Sequence, residues 1–255
     1  MALNIKALLA TACIAFAGIA AQPLAAHALD DAQKKEFGAF IREYLVNHPE
    51  VIEEAQAALE KKRAEEQASA ATDAVKRNKD AIFAAADDVV LGNPKGDVTV
   101  VEFFDYNCGY CKQALPDMNA LIKQDPNLRF ILKEFPILGP DSLAAHRVAD
   151  AFRKIARDKY NDFHQALLGS EARATEKRAL EVAASLGVTE EQIRKTMKES
   201  PADDSIREAY RVAQDLGIGG TPSYVVGEEP VFGAIGVDEL SSKVANVRIC
   251  GKTTC

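Results

Sequence analysis

The stretch VTVVEFF (98–104), then DYNCGYCK, then an apolar-periodic run, then LRFILKEFPI (128–137) constrains this chain more than anything else in it. A short unbroken apolar run rich in β-branched and aromatic residues predicts a buried strand, and the chain has two of them here. Between them Leu115, Met118, Leu121 and Ile122 recur at helical spacing, with Pro116 expected to kink the helix. Strand, helix, strand at this separation predicts a βαβ unit, and hence an α/β chain. Cys108 and Cys111 stand where the first strand ends and the helix begins.

That position decides much of the chemistry open to the pair. The first N–H groups of a helix are unpaired and carry partial positive charge, so they stabilise a thiolate on Cys108. A thiol of lowered pKa is both a nucleophile and a good leaving group. Cys111 lies one turn further on and can attack a mixed disulfide at Cys108. The expected arrangement is one exposed, acidic thiol and one more buried. A C-x-x-C alone also fits half a zinc site. Glu102, inside the apolar strand, could take a proton from Cys111, although an edge-strand carboxylate facing solvent has the same pattern. Gly219-Gly220-Thr221-Pro222 precedes a third strand-like run, SYVV (223–226). A proline there cannot join a ladder. Most X-Pro bonds are trans, but a cis bond would turn the Thr221 backbone outward toward an extended substrate chain.

Residues 30–86 are nearly all helix formers. Phe37, Ile41, Tyr44, His48, Val51, Ala55 and Ala58 fall in alternating steps of four and three, the seam of a bundle or coiled-coil-like helix. Pro49 is placed to restart a second helix. Beyond Leu59 the seam fades into KKRAEEQASAATDAVKRNKD, which reads as a solvated connector. The seam either packs on the following domain or associates with other copies, and the polar connector favours association. Residues 1–28 have Lys6, a run of apolar residues and an Ala26-His27-Ala28 pattern, and predict a cleaved secretory leader. The expected division is therefore a leader (1–28), a helical oligomerisation region (29–86) and an α/β domain (87–255) with a helical insertion over about 140–216. Breaks within the insertion fall near Gly169, Gly187 and Pro201, with Val231-Phe232 and a helix over 237–245 closing the fold.

Export implies an oxidising compartment, so Cys250 and Cys255 predict a structural disulfide across ICGKTTC. A second redox relay and a four-cysteine zinc site with Cys108 and Cys111 are the alternatives. A formal charge of −7 and the lack of any long basic cluster exclude a nucleic-acid partner. His48, His146 and His164 stand singly, without ligand spacing, and none is assigned to catalysis.

DYNCGYC, the upstream VVEFF and GIGGTPSYVVG together resemble the DsbA-like thiol–disulfide oxidoreductases of the bacterial periplasm, over about residues 87–247. FIREYLVNHPEVIEEAQ, ahead of the alanine-rich helix, is similar to the suppressor of copper sensitivity protein C (ScsC) branch. The resemblance implies a thioredoxin fold with a helical insertion and a trimer formed through the N-terminal helices. It also implies Cys108 as nucleophile, Cys111 as resolving thiol, Glu102 as buried carboxylate, and Thr221-Pro222 as a cis-proline platform for substrate, with Gly109 and Tyr110 beside it. No cofactor beyond the Cys108–Cys111 disulfide is implied. The implied partners are misfolded or oxidised exported proteins and a membrane thiol reductase. Two departures from the strong oxidases matter. Gly109-Tyr110 replaces their Pro-His, and Thr221 replaces their Val; both are similar to the disulfide isomerase DsbC. The expectation is a less acidic Cys108, a less oxidising disulfide, and an isomerase or reductase linked to copper tolerance. A dithiol oxidase is the alternative, and a Cu(I)-binding protein using the same soft thiolates is the alternative of another class. A holdase built on the helical stalk would need neither cysteine.

Overall fold

The structure, a computed structural model, describes residues 30–85 and 88–255, so the leader expected over 1–28 lies outside the described residues. Two compact units divide between Ala58 and Leu59.

In the first unit, α1 (Asp31–Asn47) is opened by a capping box. The Asp30 side chain accepts from the Gln33 N–H at 2.8 Å and the Gln33 side chain accepts from the Asp30 N–H at 3.0 Å. The helix stops at His48, and Pro49 precedes the start of α2 (Glu50–Arg77), as a residue without an N–H is suited to do. No residue of α1 is buried, and Phe37, Phe40, Ile41 and Tyr44 are about half exposed.

In the second unit, β1 (Val89–Gly92), β2 (Val98–Phe104), β3 (Leu128–Glu134), β4 (Ser223–Val226) and β5 (Glu229–Phe232) form one sheet in the order β1-β3-β2-β4-β5. β2 and β3 are parallel, joined by α4 (Gly109–Gln124), and the other pairings are antiparallel. Successive strand residues face opposite sides, so β2 serves two cores. Val98, Val100 and Phe104 join Cys111, Leu115 and Met118 of α4. Val101 and Phe103 join a smaller core with Ile82 of α3 (Lys79–Phe83) and Val212 of α9 (Asp203–Asp215). The larger core also takes up α5 (Pro140–Ile155), α6 (Tyr160–Leu168), α7 (Glu176–Ser185), α8 (Glu190–Glu199) and α10 (Val237–Cys250).

Two differences from the sequence reading have physical causes. β1 is only four residues long, on the sheet edge, with no alternation long enough to reveal it. Pro116 lies inside α4, whose span includes it. The connector is not solvated throughout: Ala74 and Val75 at the end of α2 are buried with Ile82. Small alanines make a helix face that can pack closely while contributing little to an apolar stripe. Among the described residues, no helix is long and apolar enough to cross a membrane.

Candidate functional site

Cys108 is the N-cap of α4, held there by its N–H donating to Asp105 O at 3.0 Å. The parallel β2–β3 pair aims the end of β2 at this turn. β4 brings the second half of the site to it. Phe103 pairs with Ser223, so the residues before Ser223 overrun the end of β2 and lie over Cys108. The Thr221–Pro222 bond is cis. Ser223 Oγ donates to Gly220 O at 2.8 Å and the Gly233 N–H donates to Pro222 O at 3.0 Å, fixing this loop from both sides.

The Cys108 thiol donates to Thr221 O at 3.0 Å. Contrary to the expectation of an exposed nucleophile, Cys108 is only 6% exposed, because the 219–222 loop covers it. Neither Cys108 nor Cys111 is in a disulfide. The Cys108 pKa is pulled down to about 5, chiefly by a hydrogen bond from the Cys111 thiol. The Thr221 side chain and the N–H groups of Cys111 and Tyr110 add to this, against the cost of burial. Once ionised, Cys108 accepts these bonds in place of the one it donated. The Cys111 thiol is pushed far up, first by donating to Cys108, then by burial and by the charge of Glu102.

Glu102 is 3% exposed in the central strand, paired with Leu132 on one side and Tyr224 on the other. It faces the same way as Val100 and Phe104, toward α4, which excludes the solvent-facing edge position. Burial, and secondarily the charge on Cys108, push its pKa up to about 8. Gly109 and Tyr110 are exposed beside the pair, Tyr110 at 65%.

The two tail cysteines are elsewhere, joined to one another as the disulfide Cys250–Cys255. Thr253 within that loop donates its N–H and its hydroxyl to Glu229 of β5. Among the described residues no group of three or more His, Cys, Asp or Glu could hold a metal ion. Cys108 and Cys111 alone would offer Cu(I) two sulfur ligands.

Several supporting residues escaped the sequence reading. Asp105, fully buried, accepts from the Asn107 N–H (2.7 Å) and Ser142 Oγ (2.8 Å) on one oxygen. Its other oxygen accepts from the Leu138 N–H (2.9 Å). The Tyr106 N–H donates to His146 Nε2 at 3.3 Å, and His146 Nδ1 lies 3.3 Å from Glu134. The only sequence signal was local, the polar triplet Asp-Tyr-Asn ahead of Cys108; the partners come from distant segments.

Residues 99–245 match the family described as DSBA-like thioredoxin domain. Residues 33–66 match the copper resistance protein ScsC N-terminal domain. A thioredoxin-like oxidoreductase from Silicibacter pomeroyi is 41% identical, with a TM-score of 0.65 over 68% of this chain and 99% of that one. ScsC from Proteus mirabilis, in a transitional conformation, is 29% identical, with a TM-score of 0.62 over 86% of this chain and 98% of that one. A Na(+)/H(+) antiporter NhaA of Salinispora arenicola is 26% identical over 167 residues, 62% of this chain but 24% of the antiporter. The chain thus spans about a quarter of the length of the curated relatives it matches. With the first match extending over more than half of its residues, the chain belongs to the family of DsbA-like thioredoxin domains and carries an ScsC-type N-terminal segment.

Proposed function

We propose that this chain is a thiol–disulfide oxidoreductase of the ScsC type, working in the periplasm mainly as a disulfide isomerase or reductase on exported proteins. The observation that carries the reading is Cys108 Sγ at a helix N-terminus, 3.0 Å from the backbone of Thr221. A substrate strand laid along Thr221 would present its sulfur to Cys108.

In the forward step the Cys108 thiolate attacks one sulfur of a substrate disulfide. A mixed disulfide forms and the second substrate sulfur leaves as a thiolate. Cys108 can then no longer accept from Cys111, which removes the largest cause of the raised Cys111 pKa. Glu102 accepts the Cys111 proton when ionised, and the Cys111 thiolate attacks Cys108, releasing the reduced substrate and closing the Cys108–Cys111 disulfide. In isomerisation the freed substrate thiolate instead attacks another disulfide of the same substrate. The thiolate expelled there attacks the substrate sulfur of the mixed disulfide, expelling the Cys108 thiolate with no net electron transfer.

A Cys108 pKa of about 5 falls between the values of about 7 for thioredoxin and about 3.5 for DsbA. It supports a disulfide of intermediate oxidising power, since a stabilised thiolate favours the reduced form. That same value keeps the dithiol oxidase as a second reading. Cu(I) binding by the reduced pair would compete with exchange for the same thiolates and could underlie a link to copper tolerance. The half-exposed face of Phe37, Ile41 and Tyr44 supports association of copies, with a trimer as the state to test, and several sites in one assembly suit reshuffling.

The test is refolding of a scrambled-disulfide protein by the full chain and by an Ile41→Asp, Tyr44→Asp variant, with the mass of each in solution. The full chain should reshuffle disulfides, and the variant should dissociate and lose isomerisation. Rapid oxidation of dithiols without any reshuffling would assign the oxidase instead.

A further inference from the structure

The redox helix is fastened to the helical insertion along one side by side chains that the exchange chemistry does not use. The chain from Gln165 to Ala174 runs antiparallel to the segment from Asn119 back to Asn107. At the far end the amides of Asn119 and Gln165 pair reciprocally, at 2.9 and 2.8 Å. One turn nearer the motif, a Cβ on Gly169 would lie in van der Waals contact with Leu115 Cδ2, at 3.4 Å. Lys112 Nζ then donates to Ser170 O at 2.5 Å and Ala172 O at 3.2 Å. At the near end Asn107 Nδ2 donates to Ala174 O and Asn107 Oδ1 accepts from the Ala174 N–H, both at 2.8 Å, while Nδ2 also donates to Ser142 Oγ at 3.0 Å.

Asn107 immediately precedes Cys108 and Lys112 immediately follows Cys111. Both hold the same short piece of chain, 170–174, so the cysteine pair is bracketed by two clamps on one segment. Amide-to-backbone pairing with two parallel bonds fixes orientation as well as distance, much as a strand pairing does. Within that segment Ala174 is buried, and Arg173 pairs with Asp141 at 2.6 Å on the surface.

We propose that Asn107 and Lys112 are positioning residues, which hold the first turn of α4 against the 170–174 chain and so set the alignment of Cys108 with its hydrogen-bond donors and with Thr221. This rests on the oxidoreductase reading above. The donors concerned are the Cys111 thiol and the N–H groups of Tyr110 and Cys111, all within the turn that the two clamps enclose. If that turn loosens, the thiolate keeps its charge but loses aligned donors. The reduced form is then less favoured over the disulfide.

The test is equilibration of the full chain with reduced and oxidised glutathione: the Cys108–Cys111 disulfide plus two glutathione thiols gives the dithiol plus glutathione disulfide. Asn107→Ala should move this equilibrium toward the protein disulfide by about threefold to tenfold, the size of one or two orienting hydrogen bonds. Lys112→Met should move it the same way by less, and Lys112→Arg, which keeps a cationic donor, should restore it. If Asn107→Ala does not fold, the Lys112 pair decides. Folded variants that match the wild type overturn the inference and leave the oxidoreductase reading standing. So does a Lys112→Met shift that Lys112→Arg fails to reverse. A wild type that does not equilibrate with glutathione at all overturns the functional reading and the inference with it.

Discussion

Cys108 Sγ and Thr221 O are 3.0 Å apart, although the two residues are 113 positions apart in the chain. The contact joins the N-terminus of α4, which follows directly on β2, to the start of β4, which is held in place by its pairing with β2. A sulfur so placed has a substrate backbone position beside it, defined before any substrate arrives. That makes the consequences of altering each partner specific.

Replacing the two cysteines should separate attack from release. Cys108→Ser should abolish disulfide exchange. Cys111→Ser should still attack and should accumulate a mixed disulfide with substrate, visible as a reducible adduct on a non-reducing gel. Adduct formation through Cys111 in the Cys108→Ser variant would reverse the assignment.

The acidity of Cys108 should appear in its alkylation rate. With the pKa lowered to about 5, the rate should rise through pH 5 and be nearly level by pH 7. A pKa depressed in the folded state means stability that is present above the unfolded value of 9.0 and lost as pH falls through about 5. The reduced wild type should therefore lose stability relative to Cys108→Ser on acidification across that window, measured by thermal melts at a series of pH values.

Glu102 has the opposite sign. Its pKa is raised from 4.5 to about 8 by burial first and the Cys108 charge second, so its favourable contribution holds below 4.5 and is lost as pH rises through about 8. In the oxidised protein, where neither thiol titrates and burial alone raises the Glu102 pKa, Glu102→Gln should become increasingly more stable than the wild type as pH rises above 4.5. The same substitution should slow release of the mixed disulfide without slowing its formation, read by stopped-flow with a peptide substrate.

His164 is fully enclosed by Phe104, Tyr106 and Tyr160, and neither ring nitrogen has a hydrogen-bond partner among the described residues. Burial, with the neighbouring His146, holds its pKa down at about 3. Its stabilising contribution is present above the ordinary 6.5 and lost as pH falls toward 3. His164→Phe keeps the ring packing and removes the unpaired nitrogens, so it should be at least as stable at pH 7 and more resistant to acid unfolding. A variant less stable than wild type at pH 4 would show that the ring nitrogens are satisfied in solution.

Local sequence determined a good deal of this protein. The unbroken apolar runs at 98–104 and 128–137, with helical spacing between them, specify a strand, a helix and a strand, and the position of Cys108 at the helix start follows from where one pattern gives way to the other. Pro49 divides the N-terminal helices because a residue lacking an N–H belongs at a helix start. Other features depend on partners that local pattern does not name. The sequence left Glu102 free to face solvent or core, and only the central place of β2, with strands on both sides, encloses it. It left Cys108 exposed, and only the overrun of β4 past β2 covers it. The alanine-rich end of α2 read as polar, and the sheet face buries it all the same. Asn107 and Lys112 carried no pattern, because their partners are backbone atoms brought over by the insertion. Backbone propensity acts between neighbours in the chain, whereas burial and hydrogen-bond partnership are settled by which segments the sheet register brings together.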